Sequence, residues 1–207
     1  MANQVAEKNY VDHQIIRFDG KDSFVEILKG TFSIDKVALG FVTYDNKAAA
    51  GNKKKDEITV FISLPEFLQL AQDMKSGRLS HLAKTALADM EKGGYSYAKP
   101  IFTLLGGVGV KKLAQQGKTR PDGKALSRQF KITPGSKSPW MLSAEIGPGE
   151  ETDKGLIAPK YVNGRPEKII RIPLSDEHFK QLFLITEKYI EGYITAKLMM
   201  EMQNAAK

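Results

Sequence analysis

The 207-residue chain has no cysteine. That absence excludes disulfides, thiolate nucleophiles and cysteine-based zinc sites together, and it fits a reducing compartment. Histidine is almost as scarce: His13, His81 and His178 lie far apart and fall in no ligand motif. No apolar run approaches the roughly 18 residues that mark a membrane-spanning helix. The start, Met1 to Lys8, has no apolar stretch behind a basic end, so no signal peptide is expected. These absences point to a cytoplasmic protein with no membrane partner.

Catalytic signatures are missing too. Leu105-Gly106-Gly107-Val108-Gly109-Val110-Lys111-Lys112 is glycine-rich, but it lacks phosphate-loop spacing, and no Ser or Thr follows the lysines to hold Mg²⁺. It reads as a flexible hairpin or bulge, although backbone amides there could touch a phosphate. Paired carboxylates occur only as surface-like runs, Glu150-Glu151 and Asp176-Glu177. With no acid–base pair, nucleophile elbow or metal box, the expectation is a protein that is not an enzyme and uses no cofactor.

What the chain does have is core-forming residues and a local excess of positive charge. Its 42% hydrophobic content suffices for a sizeable core. The net charge is +7, from 31 Lys+Arg against 24 Asp+Glu. Between Lys99 and Trp140 stand nine basic residues and one acid, Asp122, so that segment alone carries +8. An excess confined to one segment is what an electrostatic footprint for a polyanion looks like.

The chain also resembles itself. Ser63-Leu64-Pro65-Glu66-Phe67-Leu68-Gln69-Leu70 and Ser175-Asp176-Glu177-His178-Phe179-Lys180-Gln181-Leu182 share four identities at an offset of 112. Each follows an alternating apolar run: Ile58, Val60 and Ile62 in one, Ile170, Ile172 and Leu174 in the other. Each reads as a strand entering a capped helix. Ser63 is the first cap, with Glu66 completing a capping box and Pro65 in the first turn. Ser175 is the second, with Asp176 and Glu177 on the positive helix start. Phe67, Leu70, Ala71 and Met74 continue one apolar stripe. Phe179, Leu182, Phe183, Thr186, Tyr189, Ile190, Tyr193 and Ile194 continue the other.

Further strands are expected at His13–Phe18, Ser23–Phe32 and Lys36–Tyr44. In the second half they are expected at Ile101–Leu105, Leu126–Ile132, Trp140–Ile146 and Leu156–Val162. A helix is expected over Gly77–Glu91. The fold class is therefore α+β: two pseudo-repeated antiparallel sheet-plus-helix units, ββββα twice, sharing one helical core. They form a single domain over 1–207, with units at about 11–92 and 99–202. Chance similarity between two unrelated helices is the alternative.

Two consecutive ββββα units resemble the Whirly family and its wider group of single-stranded DNA-binding proteins. The likeness is strongest over Glu57–Leu70 and Lys168–Tyr193, where an alternating strand passes straight into a helix. The lysine-rich K-G-K-A-A-L signature of plant Whirly proteins has only partial echoes, Lys36-Val37-Ala38-Leu39 and Gly123-Lys124-Ala125-Leu126. The resemblance implies sheets that project from a helical core and bind single strands, and it implies a homo-oligomer, a tetramer.

Single-strand binding needs cations for phosphates and exposed rings for bases. An antiparallel sheet with one solvent face can supply both. The candidates in the second half are Arg128, Phe130, Lys131, Lys137 and Trp140, with Lys111, Lys112 and Lys124 nearby. In a strand Arg128 and Phe130 share one face, and Gln129 and Lys131 the other. In the first half the candidates are Lys36, Tyr44 and Phe61, joined by Lys53, Lys54 and Lys55 at a hairpin tip. Each ring has a rival role in the core. The expected partner is single-stranded DNA, or RNA, bound with little sequence preference. Two rivals stand beside this reading: an RNA-binding regulator, and a protein–protein assembly module built on the methionine-rich end of the last helix.

Overall fold

The computed structural model describes residues 13–49, 52–135 and 137–205. Met1 to Lys8, read above for a targeting signal, and residues 11 and 12 of the first unit lie outside them. Four antiparallel strands form the first sheet in sequence order: β1 (Gln14–Asp19), β2 (Ser23–Leu28), β3 (Lys36–Tyr44) and β4 (Lys54–Ser63). Helix α1 (Leu64–Lys75) follows β4 directly, and α2 (Arg78–Lys92) leads to the second half. There β5 (Phe102–Val108), a short α3 (Val110–Gln115), β6 (Ala125–Pro134) and β7 (Trp140–Glu151) follow. Two strands then share the free edge of β7. The short β8 (Ile157–Pro159) pairs with Gly149–Glu151, and β9 (Lys168–Leu174) pairs with Trp140–Ile146. From β9 the chain enters the 30-residue α4 (Asp176–Ala205). The described residues thus form an α+β fold with two antiparallel sheets and four helices, a layout of two sheet-plus-helix units.

Both helix starts are capped by the serines expected. The Ser63 Oγ accepts from the Glu66 N–H at 3.4 Å, and the Ser175 Oγ accepts from the His178 N–H at 3.1 Å. Two expectations need correction. The strand placed over Ser23–Phe32 ends at Leu28, because a 3₁₀ turn at Phe32–Ile34 swings the Phe32 ring into the core. The glycine-rich stretch is neither a hairpin nor a bulge. Gly106 and Gly107 continue β5, and Val110 opens a helix. Gly107 sits at φ 147, and a Cβ there would collide with the Leu126 carbonyl of the neighbouring strand.

Alternation fixes which faces meet. Val25, Leu39, Phe41, Ile58, Val60 and Ile62 point inward from the first sheet, and Ile132, Leu142, Ala144, Ile170 and Ile172 from the second. The Phe41 and Phe130 rings join the sheets at 6.1 Å. The helices join through Phe67 and Phe183 at 5.4 Å, and Phe183 meets Phe179 edge-on at 5.0 Å.

The offset of 112 reappears in space. Lys75 donates to Glu187 at 2.7 Å and Lys168 donates to Asp56, and each pair is separated by 112 positions. Positions separated by the sequence offset thus meet where the two units pack together. Phe183 stands at this junction with no solvent exposure to spare. Its replacement by Ala should lower unfolding free energy by about 3–5 kcal/mol. Urea denaturation would show this as a lower midpoint at an unchanged m value.

Candidate nucleic-acid interface

On the first sheet the expected residues do share a face. With Val37, Leu39 and Phe41 pointing into the core, β3 turns Lys36, Ala38, Gly40, Val42 and Tyr44 outward. Across the ladder Ala38 faces Phe61, whose ring is 42% exposed. Tyr44 is half-buried, donates its hydroxyl to the Gly20 carbonyl at 3.1 Å, and lies 6.0 Å from the Phe24 ring. The Arg17 guanidinium covers Phe24 at 3.5 Å and pairs with Asp19. Lys54 pairs with Glu57. Lys53 and Lys55 are exposed and have no ion-pair partner among the described residues. This face offers rings with nearly balanced charge.

Glu26 is the odd member of that face. Its side chain lies where a Cβ on Gly40 would stand, at 3.2 Å. Burial raises its pKa, and the nearby Arg17 offsets this only in part.

Two proposed base platforms on the second sheet are corrected by the structure. Phe130 is 1% exposed, held between Phe41 and Phe102. Trp140 is 4% exposed, stacked on Phe179 at 4.1 Å, with its Nε1–H donated to Asp176 at 3.1 Å. Phe130 fills the junction of the two sheets and Trp140 that of sheet and helix, so neither presents a ring to a base. Lys131 is not a free cation either: it pairs at 2.7 Å with Glu145, which is buried.

The reason lies in a change of buried face along β6. Phe130, Ile132 and Pro134 are buried against the core, whereas Ala125, Ser127 and Gln129 are buried on the opposite face. There the segment after β7 folds back over the sheet. A Cβ on Gly147 would stand 3.0 Å from the Tyr161 ring, and Gly149 abuts Ile157. The Tyr161 hydroxyl is pushed up to about 12 by burial and then by the charge of Glu145. With that face covered, Leu126, Arg128 and Ile146 are left half-buried on the other.

Arg128 is unusual among them. Its Nε is buried with no hydrogen-bond partner, and desolvation lowers its pKa. Beyond it, the connection from β5 to β6 places Lys111, Lys112, Lys118 and Lys124 at the same end of the sheet. All four are exposed, with no ion-pair partner among the described residues. Of the acids nearby, Glu151 lies beside Gly109 and lines a hollow with Lys124 without an ion pair among the described residues, whereas the others are engaged: Glu150 pairs with Lys160. Arg120 bridges Asp122 and Glu167 at 2.8 and 2.6 Å and holds the Asp122 carboxyl at about 2. Lys137, by contrast, sits in the β6–β7 turn at the far end of the sheet.

Two exposed rings escaped the sequence reading. Tyr95 and Tyr97 are 63% and 85% exposed in the connection from α2 to β5, flanked by Lys92 and Lys99. The signal was present as Gly93-Gly94-Tyr95-Ser96-Tyr97, rings set in a turn where no helix or strand can bury them.

Among the described residues no group of three or more His, Cys, Asp or Glu could hold a metal ion, and no helix is long and apolar enough to cross a membrane. No family model, curated protein or solved structure matches the chain.

Glu26 provides a check on the first sheet's outer face. A carboxyl whose pKa is raised on folding favours the neutral form, so its contribution is full below the unfolded pKa and is lost as pH rises through the folded one. Glu26→Gln should therefore raise stability at neutral pH, by about 0.5 kcal/mol once solvent screening is allowed for. Thermal unfolding across a pH series should show that gain vanish below the ordinary carboxylate range.

Proposed function

We propose that this protein binds single-stranded nucleic acid, DNA in preference to RNA, with little sequence specificity. Binding and not chemistry is its activity, and protection of exposed strands in replication, recombination or mobile-element transfer is its use. One observation carries the reading. Lys111, Lys112, Lys118, Lys124 and Arg128 gather at one end of the second sheet without carboxylate partners, and one of them keeps a buried Nε unsatisfied. A buried donor without an acceptor is costly; a phosphate could not reach that Nε, but it is a strong charge-assisted acceptor for the outer guanidinium nitrogens. Exposed rings at Phe61, Tyr95 and Tyr97 offer stacking surfaces. The layout's resemblance to Whirly proteins supports the same reading.

Fluorescence anisotropy with matched single-stranded DNA, RNA and duplex oligonucleotides over a salt series tests it. Single strands should bind most tightly, with log affinity falling linearly in log salt. Replacing Lys111, Lys112 and Lys124 together by Ala should make the slope shallower by about 2, at roughly 0.7 per phosphate contact on a single strand. Arg128→Met should weaken every sequence alike. Binding that ignores salt, or its absence at low salt, would overturn the proposal.

A specific observation also favours self-assembly as a homo-oligomer. Beyond Ile190, α4 leaves Ile194, Leu198, Met199, Met200 and Met202 between 45% and 65% exposed. That is more apolar surface than an isolated helix end carries to advantage. Light scattering behind size-exclusion chromatography measures the resulting mass directly.

A further inference from the structure

A cavity of about 620 Å³ lies away from the basic end, between α4 and the turn that joins β2 to β3. Phe32, Tyr189 and Tyr193 give it aromatic walls, and its only charged or titratable lining groups are Lys29, Lys188 and His13. No carboxylate lines it. Lys188 has a salt-bridge partner in Glu191, at 2.7 Å, whereas Lys29 has no ion-pair partner among the described residues. Instead the Lys29 ammonium stands 5.3 Å from the centre of the Tyr189 ring. Phe32 meets Tyr193 edge-on at 5.5 Å, which fixes the inner wall.

Two glycines shape the space. The Gly30 position lies 3.1 Å from the His13 ring, and Gly192 faces an opening with nothing within 4 Å of where its Cβ would be. A glycine in the interior of a 30-residue helix costs about 1 kcal/mol relative to Ala. At Gly192 no packing contact or backbone conformation accounts for that cost, and the position opens onto the cavity.

We propose that this cleft binds one nucleotide unit, its base against Tyr189 and Tyr193 and its phosphate on Lys29 and His13. The volume suits a small ligand. Flat rings favour a planar partner, and the unopposed Lys29 ammonium beside them favours a phosphate over a neutral or cationic group. An apolar helix end from a second copy would match the rings but leave the cations unused. The proposal extends the nucleic-acid reading to a second contact, and the same chemistry could come from a strand or from a free nucleotide.

Calorimetry with dTMP and with thymidine tests it on the full chain. The wild type should bind dTMP, and thymidine, lacking the phosphate, should bind about ten-fold more weakly or less. Gly192→Leu fills the opening and should abolish dTMP binding while keeping or raising the melting temperature, so loss of fold is not a confounder. Lys29→Ala should weaken dTMP binding with a shallower salt dependence. The triple lysine variant of the basic end should bind dTMP as the wild type does, which separates this site from that one.

Oligothymidylate anisotropy then distinguishes the sources. Weaker strand binding by Gly192→Leu assigns the cleft to a nucleotide of the strand. Unchanged strand binding with dTMP binding lost assigns it to a free nucleotide, and that result stands even if the wild type binds no strand. The proposal is overturned if the wild type does not bind dTMP or if Gly192→Leu binds it equally well. It is also overturned if Gly192→Leu only converts an oligomer to a monomer, which would make a second copy the occupant.

Discussion

The contact between α1 and the first turns of α4 is the constraint on which the rest of the molecule depends. Phe67, Phe179 and Phe183 pack there ring to ring, and Trp140 stacks on Phe179 from the second sheet. Such aromatic contacts combine a large buried area with defined geometry, so they fix the angle between the units as well as holding them together. Lys75 and Glu187 close the junction. Glu187 is buried, and without that ammonium it would be a buried charge with no partner. Such pairs set register more dependably than they add stability. Because these ion-paired residues lie 112 positions apart, the junction ties one sheet-plus-helix unit to the other.

With the junction fixed, the two sheets cannot be used alike. The first covers Ala38, Gly40 and Val42 in the middle of its outer face with neighbouring side chains, leaving Phe61 the most exposed ring there, and its charges nearly cancel. In the second, the core reaches only as far as Phe130 along β6. Past that point the chain buries the opposite face beneath its own later segment, through Ile157 and Tyr161. Glycines at 107, 147 and 149 are what let backbone and rings approach so closely. The consequence is electrostatic. Acids near the covered face are absorbed by Lys131 and Arg120, while the cations at the end of β6 find no partner within the fold.

The parts of the fold written in local chemistry were legible in the sequence. Ser63 and Ser175 cap as their spacing requires, β3 begins and ends where its alternation does, and the offset of 112 returns as physical contact. What was not legible depends on distant partners. Alternation correctly puts Arg128 and Phe130 on one face, but it cannot show that Phe41 of the other sheet covers one and not the other. Trp140 follows a polar loop, and only α4, 36 residues later, supplies the carboxylate that receives its indole N–H. The glycine-rich stretch misled for a similar reason. Its glycines answer to the neighbouring strand and to Ile157, not to a turn of their own. Tyr95 and Tyr97 carry a local signal of another kind: they lie outside any strand, in a glycine-led connection that leaves their rings exposed.

Outside the cleft beside α4, where Lys29 stands by the Tyr189 ring, cations and rings are held apart in this molecule. The largest group of unpaired cations lies at one end of the second sheet, while the other accessible rings lie on the first sheet and in the α2–β5 connection. A short ligand could not use both of those. A flexible polyanion whose charges and rings alternate along its length could, since each unit carries a phosphate for one kind of site and a base for the other. Separation also suits low specificity: phosphate contacts position a strand without reading it, and stacking accepts any base. Arg128 is where the two requirements meet most closely. It is placed between an apolar core it cannot join and the solvent front, where an incoming phosphate would meet the outer guanidinium nitrogens and not the buried Nε.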